Sequence, residues 1–196
     1  MMFRKDNDIP KEVREARVNA WYSSLDERDK NRLSRYLGVS DTSSSFSFYI
    51  SAADAALKDE NYAFAASLCE QCLKEKLSDM QIFSVNELLI DAYIGTKRYD
   101  DAKALCEKNL RIYPQLKDGI LKANDGKIPE KMNCRNRYVD IVVGIESGYD
   151  FAFALLDRFL EMGLISEEDH AYRKQSLKIH RLQRSFDGVF TYSYKE

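Results

Sequence analysis

The chain has 196 residues, with 30 Lys and Arg against 32 Asp and Glu, which gives a formal net charge of -2. At roughly 150 residues per domain, this length predicts one compact unit, or one unit with an attached arm. The near balance of charge gives no global attraction to nucleic acid or to an anionic membrane, so any such binding has to be local. Hydrophobic residues make up 44% of the chain, which excludes wholesale disorder, and only 8 Gly and 3 Pro argue against a turn-rich β fold.

Residues 1–45 are predicted to form an N-terminal helical hairpin followed by a linker. A first helix opens at Asp8 and runs through Tyr22, and a capping-box pattern at Ser24 starts a second helix. The Ser/Thr-rich stretch 40–45 is typical of a loop, and it leads into the next part of the chain.

A short motif, Tyr-x-x-Ala, occurs three times and divides the middle of the chain, residues 46–165, into units. It begins at Tyr62, Tyr99 and Tyr149, so the second copy follows the first after 37 residues and the third follows the second after 50. The extra length falls in residues 115–133, which contain the turn signal Asn124-Asp125-Gly126. This segment is therefore predicted to be an insertion between units.

Each copy of the motif stands between two stretches of helical periodicity. Helices are predicted before the motif at residues 46–58, 82–94 and 130–145. After the motif, apolar residues recur at spacings of three and four, which is typical of an amphipathic helix. In the first unit these residues are Ala65, Leu68, Cys69, Cys72 and Leu73. The pattern therefore predicts three helical hairpins.

The middle hairpin carries a family resemblance. It resembles a tetratricopeptide repeat (TPR) through Leu89, Tyr93, Gly95, Tyr99, Ala102 and a closing Pro114. The outer hairpins are degenerate copies without the closing proline, and the resemblance covers residues 46–165. It implies a right-handed array of helical hairpins with a concave face that binds peptides. We therefore expect an all-α fold, in which antiparallel helical hairpins stack as a short TPR-like solenoid between an N-terminal hairpin and a C-terminal helix.

The resemblance also implies where a peptide would bind, because the first helix of each hairpin lines the groove in this family. It places Asp54, Glu87 and Asp91 on groove-facing positions. An acidic groove favours a basic segment or a peptide N-terminus, and it departs from the Lys- and Asn-lined groove with which some family members hold a C-terminal carboxylate. The alternative is that these acids are ordinary solvated surface.

Residues 166–196 are predicted to form a basic helix and an aromatic tail. The helix begins after Ser166, runs to about Phe186, and has no acid from His170 onward. Its basic residues are Arg173, Lys174, Lys178, Arg181 and Arg184. The apolar residues of the opposite face, which is expected to pack inward, are Tyr172, Ile179, Leu182 and Phe186. The basic face is either solvated surface or a site for a polyanion or an acidic partner.

The tail, residues 189–194, alternates in a β-like pattern after a turn predicted at Asp187-Gly188. Because the chain offers no sheet for the tail to join, three placements are open. It could lie extended over the last helices, occupy a groove of a neighbouring subunit, or pair with its twin in a homodimer.

Motifs that carry chemistry are sparse. Cys69 and Cys72 form a Cys-x-x-Cys pattern, but they lie mid-helix on the apolar stripe, which favours small core residues over zinc binding or disulfide exchange. His170 and His180 point in directions about 280° apart on one helix and cannot share a metal. No Gly-rich phosphate loop or nucleophile motif is recognisable. We predict no enzyme activity, no cofactor and no metal.

The cysteine count and the hydropathy pattern bear on the compartment. Four cysteines are too few for a secreted disulfide framework, and no apolar stretch approaches the roughly 18 residues needed to span a bilayer. We expect a cytoplasmic protein with free thiols and no membrane partner. The function hypothesis is a non-catalytic adaptor that binds a partner peptide or helix, and the competing hypothesis is a nucleic-acid-associated factor that binds phosphate through the basic C-terminal helix.

Overall fold

The computed structural model describes the backbone of residues 9–192 and the side chains of residues 9–185. Within these ranges all regular structure is helical, as the all-α prediction requires. The chain divides into two compact units, Met1–Leu116 (unit 1) and Lys117–Glu196 (unit 2), where the length predicts one. The division arises because each unit encloses buried apolar side chains of its own, such as Phe48 in unit 1 and Phe159 in unit 2.

Unit 1 contains the first six helices, a short 3-10 helix and most of the seventh. They are α1 (Lys11–Glu15), α2 (Asn19–Ser24), α3 (Glu27–Ser34), the 3-10 helix (Leu37–Val39), α4 (Ser45–Lys58), α5 (Tyr62–Cys72), α6 (Asp79–Gly95) and α7 (Tyr99–Ala123). Unit 2 contains the end of α7 and three further helices. These are α8 (Asn133–Gly144), α9 (Tyr149–Glu161) and α10 (Glu167–Tyr192).

The N-terminal segment is more broken than predicted. The helix expected to run through Tyr22 is interrupted at Arg17, whose φ of 61° lies in the left-handed region and separates α1 from α2. The cap of α3 is Asp26 and not Ser24, because the Asp26 carboxylate accepts a hydrogen bond from the Asp29 N–H at 2.7 Å. Ser24 instead donates its hydroxyl to the carbonyl of Trp21 at 2.6 Å.

The first two Tyr-x-x-Ala copies mark the same helix-to-helix turn. Two residues before each tyrosine the backbone is left-handed, with φ of 57° at Glu60 and 62° at Lys97. The residue directly before each tyrosine donates its N–H to a carbonyl five residues back, which is the Schellman arrangement that closes a helix. The N···O distances are 2.8 Å from Asn61 to Ala56 and 2.7 Å from Arg98 to Tyr93. The repeat detected in the sequence is therefore a repeat of turn geometry.

The third copy has a related turn that is one residue longer. Ser147 has a φ of 55°, and the Gly148 N–H bonds to the Val142 carbonyl, six residues back, at 2.9 Å. Tyr149 then begins α9, as Tyr62 begins α5 and Tyr99 begins α7.

Small residues bring the helices of unit 1 close together. α4 packs against both α5 and α6, and α5 packs against α6. The alanines at this contact, Ala52, Ala53 and Ala65, are completely buried. Gly95 near the end of α6 lies against the ring of Tyr62 at the start of α5, so closely that a Cβ at position 95 would overlap the ring. The tyrosine of one hairpin and the glycine of the next hairpin therefore pack against each other.

The long helix α7 differs from the prediction. Pro114 was expected to close the middle hairpin, and residues 115–133 were expected to be an insertion between hairpins. Instead, α7 continues through Pro114 to Ala123. A proline inside a helix removes one main-chain hydrogen bond and costs on the order of 3 kcal/mol. Buried Tyr113 and Ile120, seven residues apart on one face, supply packing that offsets this cost. The predicted turn is confirmed at Gly126, which has a φ of 77°.

Unit 2 is built on α9, which packs against both α8 and α10. The most buried side chains of unit 2 include Ile141, Val142, Leu155, Leu156 and Phe159. Arg135 of α8 is only 4% exposed and donates to three main-chain carbonyls. These are Leu164 at 2.8 Å, Pro129 at 3.1 Å and Glu130 at 2.7 Å. This arginine therefore ties the segment before α8 to the loop after α9.

The start of α10 follows the prediction and its end does not. The Ser166 hydroxyl accepts a hydrogen bond from the Asp169 N–H at 3.1 Å, which confirms the predicted cap. The turn predicted at Asp187-Gly188 is wrong, because α10 continues to Tyr192. The β-like alternation from Val189 onward yields to helix continuation, since β propensity is weak without neighbouring strands. Ser193 and Tyr194 lie outside the described residues.

Candidate functional site

The three predicted groove acids lie on two helices that pack together in unit 1. α4 carries Asp54, and α6 carries Glu87 and Asp91 one helical turn apart. All three side chains are partly exposed. Asp54 forms an ion pair with Lys58 on the same helix, with 2.6 Å between Nζ and Oδ2. An exposed pair of this kind contributes at most about 1 kcal/mol, so a cation from a partner can displace Lys58.

Glu87 and Asp91 lie on the side of α6 next to α7. Glu87 Oε1 accepts a hydrogen bond from Asn109 Nδ2 at 2.9 Å. Burial raises the pKa of the Cys106 thiol on α7, and the negative charges of Glu87 and Asp91 raise it further. These acids therefore lie at the edge of the α6 and α7 contact, with part of each side chain open to solvent.

A buried amide pair supports this edge, and the sequence analysis missed it. Asn109 is fully buried and accepts a hydrogen bond from Asn86 Nδ2 at 2.8 Å, while it donates to the Phe83 carbonyl at 3.1 Å. Buried amides strongly favour the one helix register that satisfies them. The sequence signal was a polar residue at a core position of the apolar period, at Asn86 and again at Asn109.

A second cluster missed from the sequence joins α5, α6 and the turn into α7. Tyr93 Oη donates to Glu70 Oε1 at 2.9 Å, and Arg98 donates to the same oxygen at 3.1 Å. The Arg98 guanidinium lies 3.8 Å from the centre of the Tyr93 ring and also bonds Asp101 at 2.8 Å. Burial, followed by Glu70, raises the pKa of Tyr93 to about 12. The cluster holds consecutive hairpins together.

The cysteines of the Cys-x-x-Cys pattern are core residues, as predicted. Cys69 and Cys72 are both fully buried in α5. Burial raises the thiol pKa of both, to about 12 at Cys72, and a protonated buried thiol is unreactive. Among the described residues, no group of three His, Cys, Asp or Glu side chains is placed to hold a metal ion.

The predicted basic face of α10 is engaged with the rest of unit 2. Arg173 Nε lies 2.9 Å from both carboxylate oxygens of Asp169 on the same helix. Lys174 Nζ lies 2.6 Å from Oδ1 of Asp157 on α9, and His170 Nε2 lies 2.7 Å from the same oxygen. Lys174 and His170 both hold the pKa of the Asp157 carboxyl below its usual value. The Lys174 and His170 contacts fasten the first half of α10 to α9, whereas the Arg173 pair lies within α10.

The second half of α10 is held in the same way. Arg181 pairs with Asp150 of α9 at 2.9 Å, and Arg184 donates to the Val143 carbonyl at 3.2 Å and to the Ser147 hydroxyl at 3.0 Å. Lys178 is exposed, and no hydrogen bond or ion pair joins it to a described residue. The structure thus assigns four of the five to intramolecular contacts, which lowers the net charge available to a polyanion.

The prediction for the apolar face of α10 is wrong. Tyr172 is 72% exposed, Ile179 is 48% exposed and Leu182 is 59% exposed, where they were expected to pack inward. The face that packs against the rest of unit 2 contains Leu177 and the paired arginines instead. Helix orientation here follows the ion pairs and carbonyl contacts, which are available only on that side. The side chain of Phe186 lies outside the described residues. We call Tyr172, Ile179 and Leu182 the α10 stripe.

A shallow cavity of about 360 Å³ adjoins α10. Val139 of α8, Leu156 of α9 and Leu177 of α10 form its apolar wall, and His180 stands at its rim. His180 is exposed and its Nδ1 lies 2.9 Å from Tyr149 Oη. Its volume lies near the lower end of the range for ligand pockets, about 300 to 1,000 Å³.

Comparisons of the chain with protein-family models, curated proteins and solved structures find no match in any of the three. No described helix combines the length and the apolar character that crossing a bilayer requires. The function proposed below is therefore argued from this chain's own residues.

Proposed function

We propose that this protein is a non-catalytic adaptor with a TPR-like arrangement, in which the acid-bearing faces of α4 and α6 bind a basic segment of a partner protein. The observation that carries the proposal is the side-by-side packing of these two helices with Asp54, Glu87 and Asp91 partly exposed on them. Two hairpin turns of the same geometry, and a third turn that is one residue longer, support the repeat arrangement. The buried cysteines fit a cytoplasmic location.

The arrangement favours recognition by charge and shape. Glu87 of α6 is held in place, because its carboxylate accepts a hydrogen bond from Asn109, which is itself buried. A carboxylate fixed in this way loses little conformational entropy when it pairs with a lysine or arginine of a partner. Complementary charges of this kind set register and on-rate more than total affinity.

The competing hypothesis, phosphate binding through α10, has less support. Lys174 and Arg181 are each paired with an aspartate of α9, and Arg184 is bonded to a carbonyl. Binding phosphate through these side chains would require breaking contacts that hold α10 in place. Lys178 alone supplies too little charge for the salt-dependent binding that is typical of nucleic-acid proteins.

A peptide-binding experiment tests the proposal. Soluble peptide libraries of net positive, neutral and net negative charge are titrated against the fluorescently labelled full chain. We expect selection of positive peptides, and an affinity reduced about tenfold in the Asp54→Asn/Asp91→Asn double variant. The control is Asp59→Asn/Glu60→Gln, which removes two exposed acids from the α4 to α5 turn and should bind as the parent does. Equal binding of all libraries, or equal loss in both variants, would contradict the proposal.

A further inference from the structure

The α10 stripe has the spacing of a helix-pairing seam. Ile179 follows Tyr172 by seven residues and Leu182 follows Ile179 by three, which are the a and d spacings of a heptad. Gln175 occupies the intervening d position, and the sequence continues the same spacing with Phe186 and Val189 inside α10. Apolar residues at a and d positions of a heptad typically pack against a second helix.

Most of the stripe lies away from the packing of α10 against its own unit, although Tyr172 also borders the cavity next to α8 and α9. At 100° per residue, Leu177 lies on the opposite side of the helix from Ile179 and Leu182. Leu177 is buried, and Arg184 and Lys174 fix that side to the α8–α9 turn and to α9. The orientation of α10 is thus set by one face, and the apolar stripe remains exposed on the other.

The charges beside the stripe decide what kind of helix fits it. Its flanking positions carry Ser176 and Gln183 on one side and Lys178 on the other, with no acid between His170 and Ser185. A strongly acidic or strongly basic partner helix would find no matching row of charges here, because the remaining basic residues lie on the packed face. A second α10 brings the same flanks, in which Lys178 is the one charged residue, and in a parallel pair Lys178 faces Gln183 of the second copy.

We propose that the α10 stripe is a homodimer interface, in which two copies of this chain pack their α10 helices along Tyr172, Ile179 and Leu182. The pairing is isologous, so each residue of the stripe meets the stripe of the other copy around a two-fold axis. Gln175 lies within the seam, where a polar residue favours one register over its neighbours. The dimer is independent of the peptide-binding face on α4 and α6.

The size of the stripe sets the strength of the dimer. Three exposed side chains per copy give a smaller interface than the roughly 1,200 to 2,000 Å² that stable, specific complexes bury. Interfaces of this size associate weakly, and we expect a dissociation constant on the order of micromolar. The dimer therefore forms and dissociates within the concentration range of ordinary sedimentation experiments.

Sedimentation equilibrium of the full chain, from low to high micromolar concentration, tests the inference. The parent mass should rise from that of the 22.7 kDa monomer toward twice that value. The Ile179→Glu/Leu182→Glu variant should remain monomeric throughout, and Tyr172→Glu should weaken the dimer at least about tenfold. Ile145→Glu is the matched control, since Ile145 is 54% exposed in unit 2 but lies outside α10, and it should dimerise like the parent.

Circular dichroism checks that each variant keeps the parent's helix content, and Tyr172→Glu provides a second position in case the double variant fails to fold. A parent that stays monomeric at every concentration would overturn the inference. So would a folded double variant that dimerises with the parent's dissociation constant, because the contact would then lie elsewhere. Loss of the dimer in Ile145→Glu together with the stripe variants would overturn it as well.

Discussion

Replacing Gly95 by alanine should destabilise unit 1, although alanine is the better helix former. A Cβ at position 95 would overlap the ring of Tyr62, so the ring or the end of α6 has to move. Overpacking of this kind costs about 1 to 3 kcal/mol. Helix propensity returns about 0.5 to 1 kcal/mol of that, because glycine is the more costly residue in a helix. The difference spans about 0 to 2.5 kcal/mol, and because the overlap is with several atoms of the ring we expect a net loss in the upper half of that span.

Gly144 at the end of α8 is the matched control. A Cβ at that position meets nothing within 4 Å, so Gly144→Ala should be neutral or stabilise by up to about 1 kcal/mol. The two substitutions are chemically identical and should have opposite signs, because only one of them meets a neighbouring side chain.

Urea unfolding measures both variants. Trp21 is the only tryptophan of the chain and its ring contacts Tyr49 edge-on at 5.0 Å between centroids, so its fluorescence reports on unit 1, while circular dichroism reports on both units. In the Tyr62→Ala background, Gly95→Ala should not lower the free energy of unfolding, since the ring is already absent. The reasoning is refuted if Gly95→Ala is as stable as the parent, or if its cost persists in the Tyr62→Ala background.

Three further predictions concern charged and titrating groups. Replacing Arg135 by methionine removes its hydrogen bonds to three buried or half-buried carbonyls and should lower the free energy of unfolding of unit 2 by about 2 to 4 kcal/mol. Urea unfolding measures this loss, and an unchanged midpoint would show that water replaces the guanidinium. Asp157 has a folded pKa below its ordinary 3.8, so its stabilising effect is present above that pH and is lost as the pH falls through the folded pKa. The stability difference between the parent and Asp157→Asn should therefore shrink on acidification below about pH 4, and a constant difference would contradict the pairing. Tyr93 has its pKa raised to about 12 from 10.0, so neutral Tyr93 contributes stability that is complete below pH 10 and is lost as the pH rises toward 12. In a titration followed by tyrosinate absorbance, Tyr93→Phe should lack one of the tyrosines that ionise at high pH. If the absorbance change at high pH is the same as in the parent, that change belongs to another tyrosine.

The regular part of the fold was accessible from the sequence because it rests on local signals. The Tyr-x-x-Ala motif located all three hairpin turns, since a tyrosine that starts a helix after a left-handed residue is set by residues adjacent in the chain. The Ser166 cap was accessible for the same reason. Burial of Cys69 and Cys72 followed from their place in the apolar period.

The errors arose where tertiary contacts outweigh local preference. Pro114 is a strong local stop signal, but burial on both sides of it keeps α7 helical. The two faces of α10 were assigned by apolarity alone, which cannot show that Arg181 and Arg184 have partners at the α8–α9 turn and on α9. Long-range polar contacts of this kind leave no periodic signal in a single sequence.

The positions of the groove acids were predictable only in part. Their helices and their partial exposure follow from the apolar period, because Glu87 and Asp91 lie beside the buried positions of α6. The contact of Glu87 with Asn109, and the influence of Glu87 and Asp91 on Cys106, depend on the register between α6 and α7. That register is fixed by side-chain pairing across helices, which spacing alone does not show.

The most direct test of the adaptor account is affinity capture from native cell lysate with nuclease present, quantified by mass spectrometry for three forms of the chain. The account predicts a stoichiometric protein partner that the parent and Asp59→Asn/Glu60→Gln retain equally and that Asp54→Asn/Asp91→Asn loses. Equal retention of that partner by all three forms would contradict the account, and so would a capture that yields no protein partner from any form.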